Sequence, residues 1–93
     1  MLSFYVYILQ CSDKSYYVGH TDNIERRISE HRLKLCSGYT ASRLPVEVMF
    51  VQECGTRDEA IAAERQIKGW RRSKKEALIK GDWKTIMELS NKK

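Results

Sequence analysis

Phe4-Tyr5-Val6-Tyr7-Ile8-Leu9-Gln10 and, after the polar Ser12-Asp13-Lys14-Ser15, Tyr16-Tyr17-Val18-Gly19 decide how this chain is read. Both runs are rich in aromatic and β-branched residues, which suit a pleated, half-buried surface, and the tetrad between them has turn composition. The pair predicts a β-hairpin. Alternate side chains of a strand share a face, so Tyr5 and Tyr7 point one way and Val6 and Ile8 the other.

Beyond the hairpin, Thr21 or Asp22 can cap a helix in which Ile24, Arg27, Ile28, His31 and Leu35 recur at helical spacing, to about residue 35. The stretch from Cys36 to Leu44 lacks periodicity and contains Ser37-Gly38, which predicts a loop carrying Tyr39, Thr40, Ser42 and Arg43. Pro45 ends it, and residues 46–53 predict a third strand, with proline tolerated at its start. Thr56 with Glu59 forms a capping box for a second helix, whose apolar stripe is Ala60, Ile61, Ala63, Ile67 and Trp70. Ser73 with Glu76 repeats the box, and Gly81 closes a short third helix. A last helix is predicted over 82–90 from Trp83, Ile86, Met87 and Leu89, before a frayed tail at 91–93. The order is ββαβααα: an α+β fold with one small three-stranded sheet flanked by helices, in a single domain over 1–93 whose core spans about 4–83.

The 93 residues suffice for one modest core, in keeping with a hydrophobic fraction of 42%. No apolar run is long enough to cross a membrane, and the first residues lack the pattern of a secretory signal, so the cytoplasm is the expected location. Cys11, Cys36 and Cys54 are odd in number and widely spaced. They form neither a disulfide framework nor a CxxC motif and read as reduced, packed thiols; pairing Cys36 with His31 on zinc lacks two further ligands. The net charge of +5 is concentrated: residues 65–80 hold Arg65, Lys68, Arg71, Arg72, Lys74, Lys75 and Lys80 against the single acid Glu76. Such a cluster suits a phosphate backbone, and equally suits a solvated helix face.

Chemistry is suggested by polar residues standing where the pattern asks for apolar ones. Arg27 and His31 are one turn apart on a face continuous with Ile24 and Ile28, and Glu64 falls inside the stripe of the second helix. A lone buried carboxylate is costly unless paired or bound to metal, so Arg27 and Glu64 on facing helices could also be a structural ion pair.

Tyr5-Val6-Tyr7 and Tyr17-Val18-Gly19, with Arg27 eight residues further on, His31 four after that and Glu64 on a later helix, resemble the paired signature of the GIY-YIG nuclease family. The resemblance extends from about Tyr5 to Trp83, includes Ile67-Lys68-Gly69-Trp70 and Leu44-Pro45-Val46, and is greatest to small members made of this domain alone. Two departures stand out. Tyr5 replaces the first glycine of the signature, and Glu76 occupies the spacing at which family nucleases often carry an asparagine; Asn91 is too distant to replace it.

The resemblance implies a metal-dependent endonuclease acting on phosphodiester bonds, structure-selective and favouring DNA over RNA, in repair or processing. It implies catalytic roles for Tyr7, Tyr17, Arg27, His31 and Glu64. Glu64 would carry the divalent metal, Mg2+ or alternatively Mn2+. Tyr7 would take the proton of the attacking water, a role that requires a phenol pKa lowered from ~10. Arg27 would brace the phosphate through its planar fork, while His31 and Tyr17 hold the phosphate or Tyr7. Arg26, Arg43, Lys68, Arg71, Arg72, Lys74 and Lys75 are the expected nucleic-acid contacts, with Trp70 either a core residue or a stacking platform. The expected partner is nucleic acid, with a targeting protein as a second candidate and no membrane, and the expected state is a monomer or weak dimer. The alternative is a nucleic-acid-binding module of weak or absent activity on the same scaffold.

Overall fold

In the computed structural model, residues 3–33 and 42–82 are described. The hairpin forms as its alternation requires. Strand β1 (Phe4–Gln10) pairs antiparallel with β2 (Tyr16–Thr21), which sets Tyr7 opposite Gly19 and Val6 opposite His20. The far side of β1 takes β3 (Glu47–Cys54), also antiparallel, so the strand order is β2-β1-β3. Ile8 faces Phe50 while Leu9 faces Val48, leaving Met49 as an extra residue that bulges β3.

Among the described residues three helices cover this sheet: α1 (Ile24–Arg32), α2 (Arg57–Lys68) and α3 (Arg72–Lys80). The central strand is buried on both faces. Val6 and Ile8 pack with Val18, Cys54 and the α2 and α3 residues Ala60, Ile67, Ala77 and Leu78, while Tyr7 and Leu9 pack on the other face with Cys11, Val46, Tyr17 and Ile24. Two small cores therefore back onto one strand, with α1 on one side and α2 and α3 on the other. The order over the described residues is ββαβαα. The predicted last helix lies beyond them except for Asp82, whose amide donates to the Ala77 carbonyl and completes the end of α3. Leu35, Cys36, Tyr39 and Thr40 also lie outside them.

The helix ends correct the sequence reading in two places. Neither Thr21 nor Asp22 caps α1; Asn23 does, its side chain accepting from the Arg26 amide at 3.1 Å. β2 runs on to Thr21, whose hydroxyl accepts from the Asn23 amide and turns the chain into the cap. Thr56 does cap α2, accepting from the Glu59 amide at 3.1 Å, and Glu59 reaches back to the Gly55 amide. Ser73, by contrast, caps nothing: α3 begins at Arg72 after Arg71. Glu76 is held instead by Arg72 at 3.2 Å and by the Tyr16 hydroxyl at 3.4 Å, so it is not available to a capping box. Gly81 ends α3 in the left-handed conformation, φ 74°, as expected of that glycine.

Candidate active site

Tyr7 is the centre of the polar arrangement. It projects from β1 toward α1, is fully buried, and its hydroxyl lies 2.9 Å from His31 Nε2. Arg27 Nε donates to the same oxygen at 3.4 Å. The one-turn spacing of Arg27 and His31 thus serves a shared partner on the neighbouring strand. Tyr17 closes the cluster, its ring 5.1 Å from that of His31 and 6.4 Å from that of Tyr7. His31 is also fully buried, and that burial, reinforced by the positive charge of Arg27 and only partly opposed by Glu30, lowers its pKa below the usual histidine range. Near neutral pH the imidazole is therefore uncharged and keeps one acceptor nitrogen.

Gly19 explains how the phenol fits. A Cβ built at Gly19 would lie 2.6 Å from the Tyr7 hydroxyl and 2.8 Å from its Cζ. The ring of Tyr7 crosses the backbone of β2 where no side chain can stand, so the glycine of Tyr17-Val18-Gly19 is a packing requirement of Tyr7.

Arg27 connects this cluster to the surface. Where β1 begins and β2 ends, a polar groove of about 350 Å³ is lined by Phe4, His20, Thr21, Asp22, Arg26, Arg27, Glu30 and Arg57. Glu30 is shared, at 3.5 Å from Arg27 and 3.6 Å from Arg26. Arg57, at the start of α2, has its guanidinium 5.3 Å from the centre of the Phe4 ring.

Glu64 reaches the same end of the sheet from the opposite face. Its Oε1 lies 2.5 Å from His20 Nδ1 and its Oε2 accepts from Lys68 at 3.0 Å. Partial burial acts to raise its pKa, but the hydrogen bonds from His20 and Lys68 outweigh it and leave the carboxyl below its usual range, hence ionised. The facing-helix ion pair between Arg27 and Glu64 is corrected here. α1 and α2 cover opposite faces of the sheet, and each residue has its own partners, Glu30 for Arg27 and His20 and Lys68 for Glu64. Among the described residues no group of three or more His, Cys, Asp or Glu comes together, and the pairing of His31 with Cys36 lies outside them. Were a divalent ion held at Glu64, this single ionised carboxylate would leave the rest of its shell to waters and substrate oxygens.

The predicted nucleic-acid contacts do not form one surface. Arg26 lines the groove. Arg43 lies at the other end of the sheet, bound to Asp13 of the hairpin turn at 3.0 Å, with its carbonyl accepting from the Ser12 amide. Arg72 stacks on Tyr16, also near that turn, at 4.5 Å from the ring centre. Lys74 lies 4.2 Å from the ring centre of Trp70, which packs on the α2–α3 core; Lys68 is engaged by Glu64, and Arg71 is exposed. His20, Arg57 and Glu30 are groove residues that the sequence reading missed. Extending the strand alternation past Gly19 would have placed His20 on the face of Val18, toward the helix that carries Glu64.

A family model described as the GIY-YIG catalytic domain matches residues 3–77. A UPF0213 protein of Natronomonas pharaonis is 40% identical over 75 residues, covering 81% of this chain and 88% of the relative. One from Streptococcus pneumoniae is 37% identical over 75 residues, covering 81% and 76%. The solution NMR structure of a UPF0213 protein from Bacillus halodurans superposes with a TM-score of 0.56 at 35% identity, covering 85% of this chain and 84% of that one. That of an E. faecalis protein gives 0.61 at 36%, covering 87% and 86%. On the family model and these relatives, this chain belongs to the GIY-YIG family, a nuclease-type family, alongside the UPF0213 proteins.

Proposed function

We propose that the protein is a metal-dependent endonuclease that hydrolyses phosphodiester bonds of nucleic acid, DNA in preference to RNA, in repair or processing. The observation that carries this reading is the Tyr7 hydroxyl held between His31 Nε2 and Arg27 Nε, with Arg27 opening onto a groove lined by two further arginines. Neutral His31 accepts a hydrogen bond from the phenol at Nε2, which fixes the Tyr7 oxygen in place as the acceptor of the attacking water's proton. Arg27 donates to that oxygen and biases it toward the anion. Turned to the groove, the same guanidinium binds a phosphate in bidentate fashion and exposes the phenol as substrate arrives. Arg26 and Arg57 hold flanking phosphates, positioning the strand without reading its sequence. Tyr17 packs on His31 and fixes the imidazole plane. Glu64 would be the carboxylate that holds the divalent metal, and the chemistry such an ion would supply there is neutralisation of charge on the phosphate and the leaving oxygen.

The test is cleavage of labelled single-stranded, duplex, flapped and branched DNA and RNA with Mg2+ or Mn2+, using wild type, Glu64→Gln and Tyr7→Phe purified identically. The expected outcome is cleavage by wild type, strongest on a DNA structure, lost in both variants, with melting temperature nearly kept in Glu64→Gln. Cleavage that survives in Tyr7→Phe overturns the role of the phenol.

One observation favours a second reading. Glu76, at the position where family nucleases often carry an asparagine, is built into a cluster with Tyr16 and Arg72 rather than turned to the groove. A binding module with vestigial activity predicts binding that weakens steeply with salt, survives Glu64→Gln, and comes without cleavage by wild type.

A further inference from the structure

Arg57 is the groove cation that the fold itself does not require. It is the first residue of α2, where the helix dipole disfavours positive charge and where its neighbours Asp58 and Glu59 have the favoured sign. The other two groove arginines have acceptors: Arg26 and Arg27 share Glu30, and Arg27 also donates to Tyr7. Among the described residues Arg57 has neither a carboxylate nor a hydrogen-bond acceptor. Its contact is the Phe4 ring, with the guanidinium carbon 5.3 Å from the ring centre.

The chain builds this pair locally. Phe4 opens β1 opposite Cys54, the last residue of β3, and Gly55 and Thr56 alone separate Cys54 from Arg57. Phe4 is half-buried and packs on the core of Val6 and Ile8, which fixes its ring, while Arg57 is exposed above it. Both line the groove with Arg26 and Arg27. A planar, weakly hydrated guanidinium held against an aromatic ring can stack a second flat group on its open face, and its N–H edges stay free for a phosphate. The groove, at about 350 Å³, lies at the small end of ligand sites, which span roughly 300–1,000 Å³. It has room for one nucleotide and not for both strands of a duplex. A base can reach the guanidinium only when it is unpaired and out of its own stack.

We infer that Arg57, backed by Phe4, is a stacking platform for one unpaired base, so that the groove takes a single-stranded segment of nucleic acid. The inference deepens the nuclease reading and rests on it for the groove being where nucleic acid lies. Arg26 and Arg27 take the neighbouring phosphates, and Arg57 offers a phosphate its edge and the base its face. Every base has a face to stack, so the platform selects strand state and not sequence.

The experiment measures binding by fluorescence anisotropy at one ionic strength, with EDTA present to prevent cleavage, for wild type, Arg57→Lys and Phe4→Leu. The probes are labelled oligothymidylate, a strand of the same length and charge made of abasic residues, and a duplex of that length. Wild type should bind oligothymidylate about tenfold or more tighter than the abasic strand. Arg57→Lys keeps the charge and loses the plane, so it should cut that ratio below about threefold while changing duplex affinity by less than about threefold. Phe4→Leu should lower the ratio in the same direction. Equal binding of the thymidylate and abasic strands by wild type, a full ratio in Arg57→Lys, or an equal loss on the duplex overturns the platform. The wild-type comparison needs no substitution, so a poorly folded Phe4→Leu does not spare the inference. Base-dependent binding without cleavage in Mg2+ or Mn2+ supports the platform and overturns the nuclease reading, whereas cleavage with base-independent binding does the reverse.

Discussion

Tyr7, Gly19 and His31 form one packing problem solved by three residues. With the Tyr7 oxygen where a Gly19 Cβ would stand, Gly19→Ala must push the ring away from His31 or bend β2. The expected cost is about 1–3 kcal/mol, the range for overpacking a tight interior, read as a lowered denaturant midpoint with unchanged slope. His31 gives a pH dependence of defined sign. Its folded pKa lies below its unfolded value, so the unfolded chain binds the extra proton as pH falls. The contribution is complete above about pH 6.5, the ordinary histidine value, and is lost progressively on acidification toward the lower folded pKa. Melting temperature measured from pH 7.5 to 5 should fall for wild type and be flatter for His31→Gln. The tyrosine and glycine were legible in the sequence as motif residues, and Arg27 and His31 as polar intruders on an apolar face. The contact of His20 with Glu64 was not, because it joins residues 44 positions apart and depends on how a helix crosses a strand.

At the scale of elements, local chemistry was readable where it is self-contained. The capping pair Thr56 and Glu59 closes on its own helix, so the beginning of α2 followed from four residues. Ser73 and Glu76 have the same spacing, yet Tyr16 and Arg72 take the carboxylate, and nothing within α3 reveals that rival. Two substitutions separate these cases. Thr56→Ala should cost about 1 kcal/mol, the usual loss of an N-cap side chain, whereas Ser73→Ala should leave thermal stability within about 0.5 kcal/mol. At the other end of α3, Gly81→Ala forces a Cβ into φ 74° and should lower stability by about 1 kcal/mol, measured by the same unfolding curves. The β2 boundary was missed for a related reason: Gly19 resembles a strand stop, but the glycine is there for Tyr7 and the ladder continues to Thr21.

Across the whole molecule, the charge of the sequence is divided between two ends. The basic run after residue 64, the obvious electrostatic feature, lies partly against Tyr16 and Trp70 and partly on Glu64, while the groove draws its cations from α1 and from the first residue of α2. Paired replacement of Arg26 and Arg57 by alanine should therefore weaken nucleic-acid binding more than replacement of Lys74 and Lys75, and should make the salt dependence shallower, as titration at several ionic strengths can show. The two cores that back onto β1 have a further consequence. Tyr7 is anchored in one and Glu64 is carried by the helix of the other, so the proposed catalytic geometry exists only while both halves are closed together. Native proteins open in parts without global melting, and the two cores define two such parts here. Heating should therefore abolish the proposed cleavage some degrees before the sheet comes apart, and a clamp between α1 and α2 would raise the temperature at which cleavage is lost more than it raises the melting point.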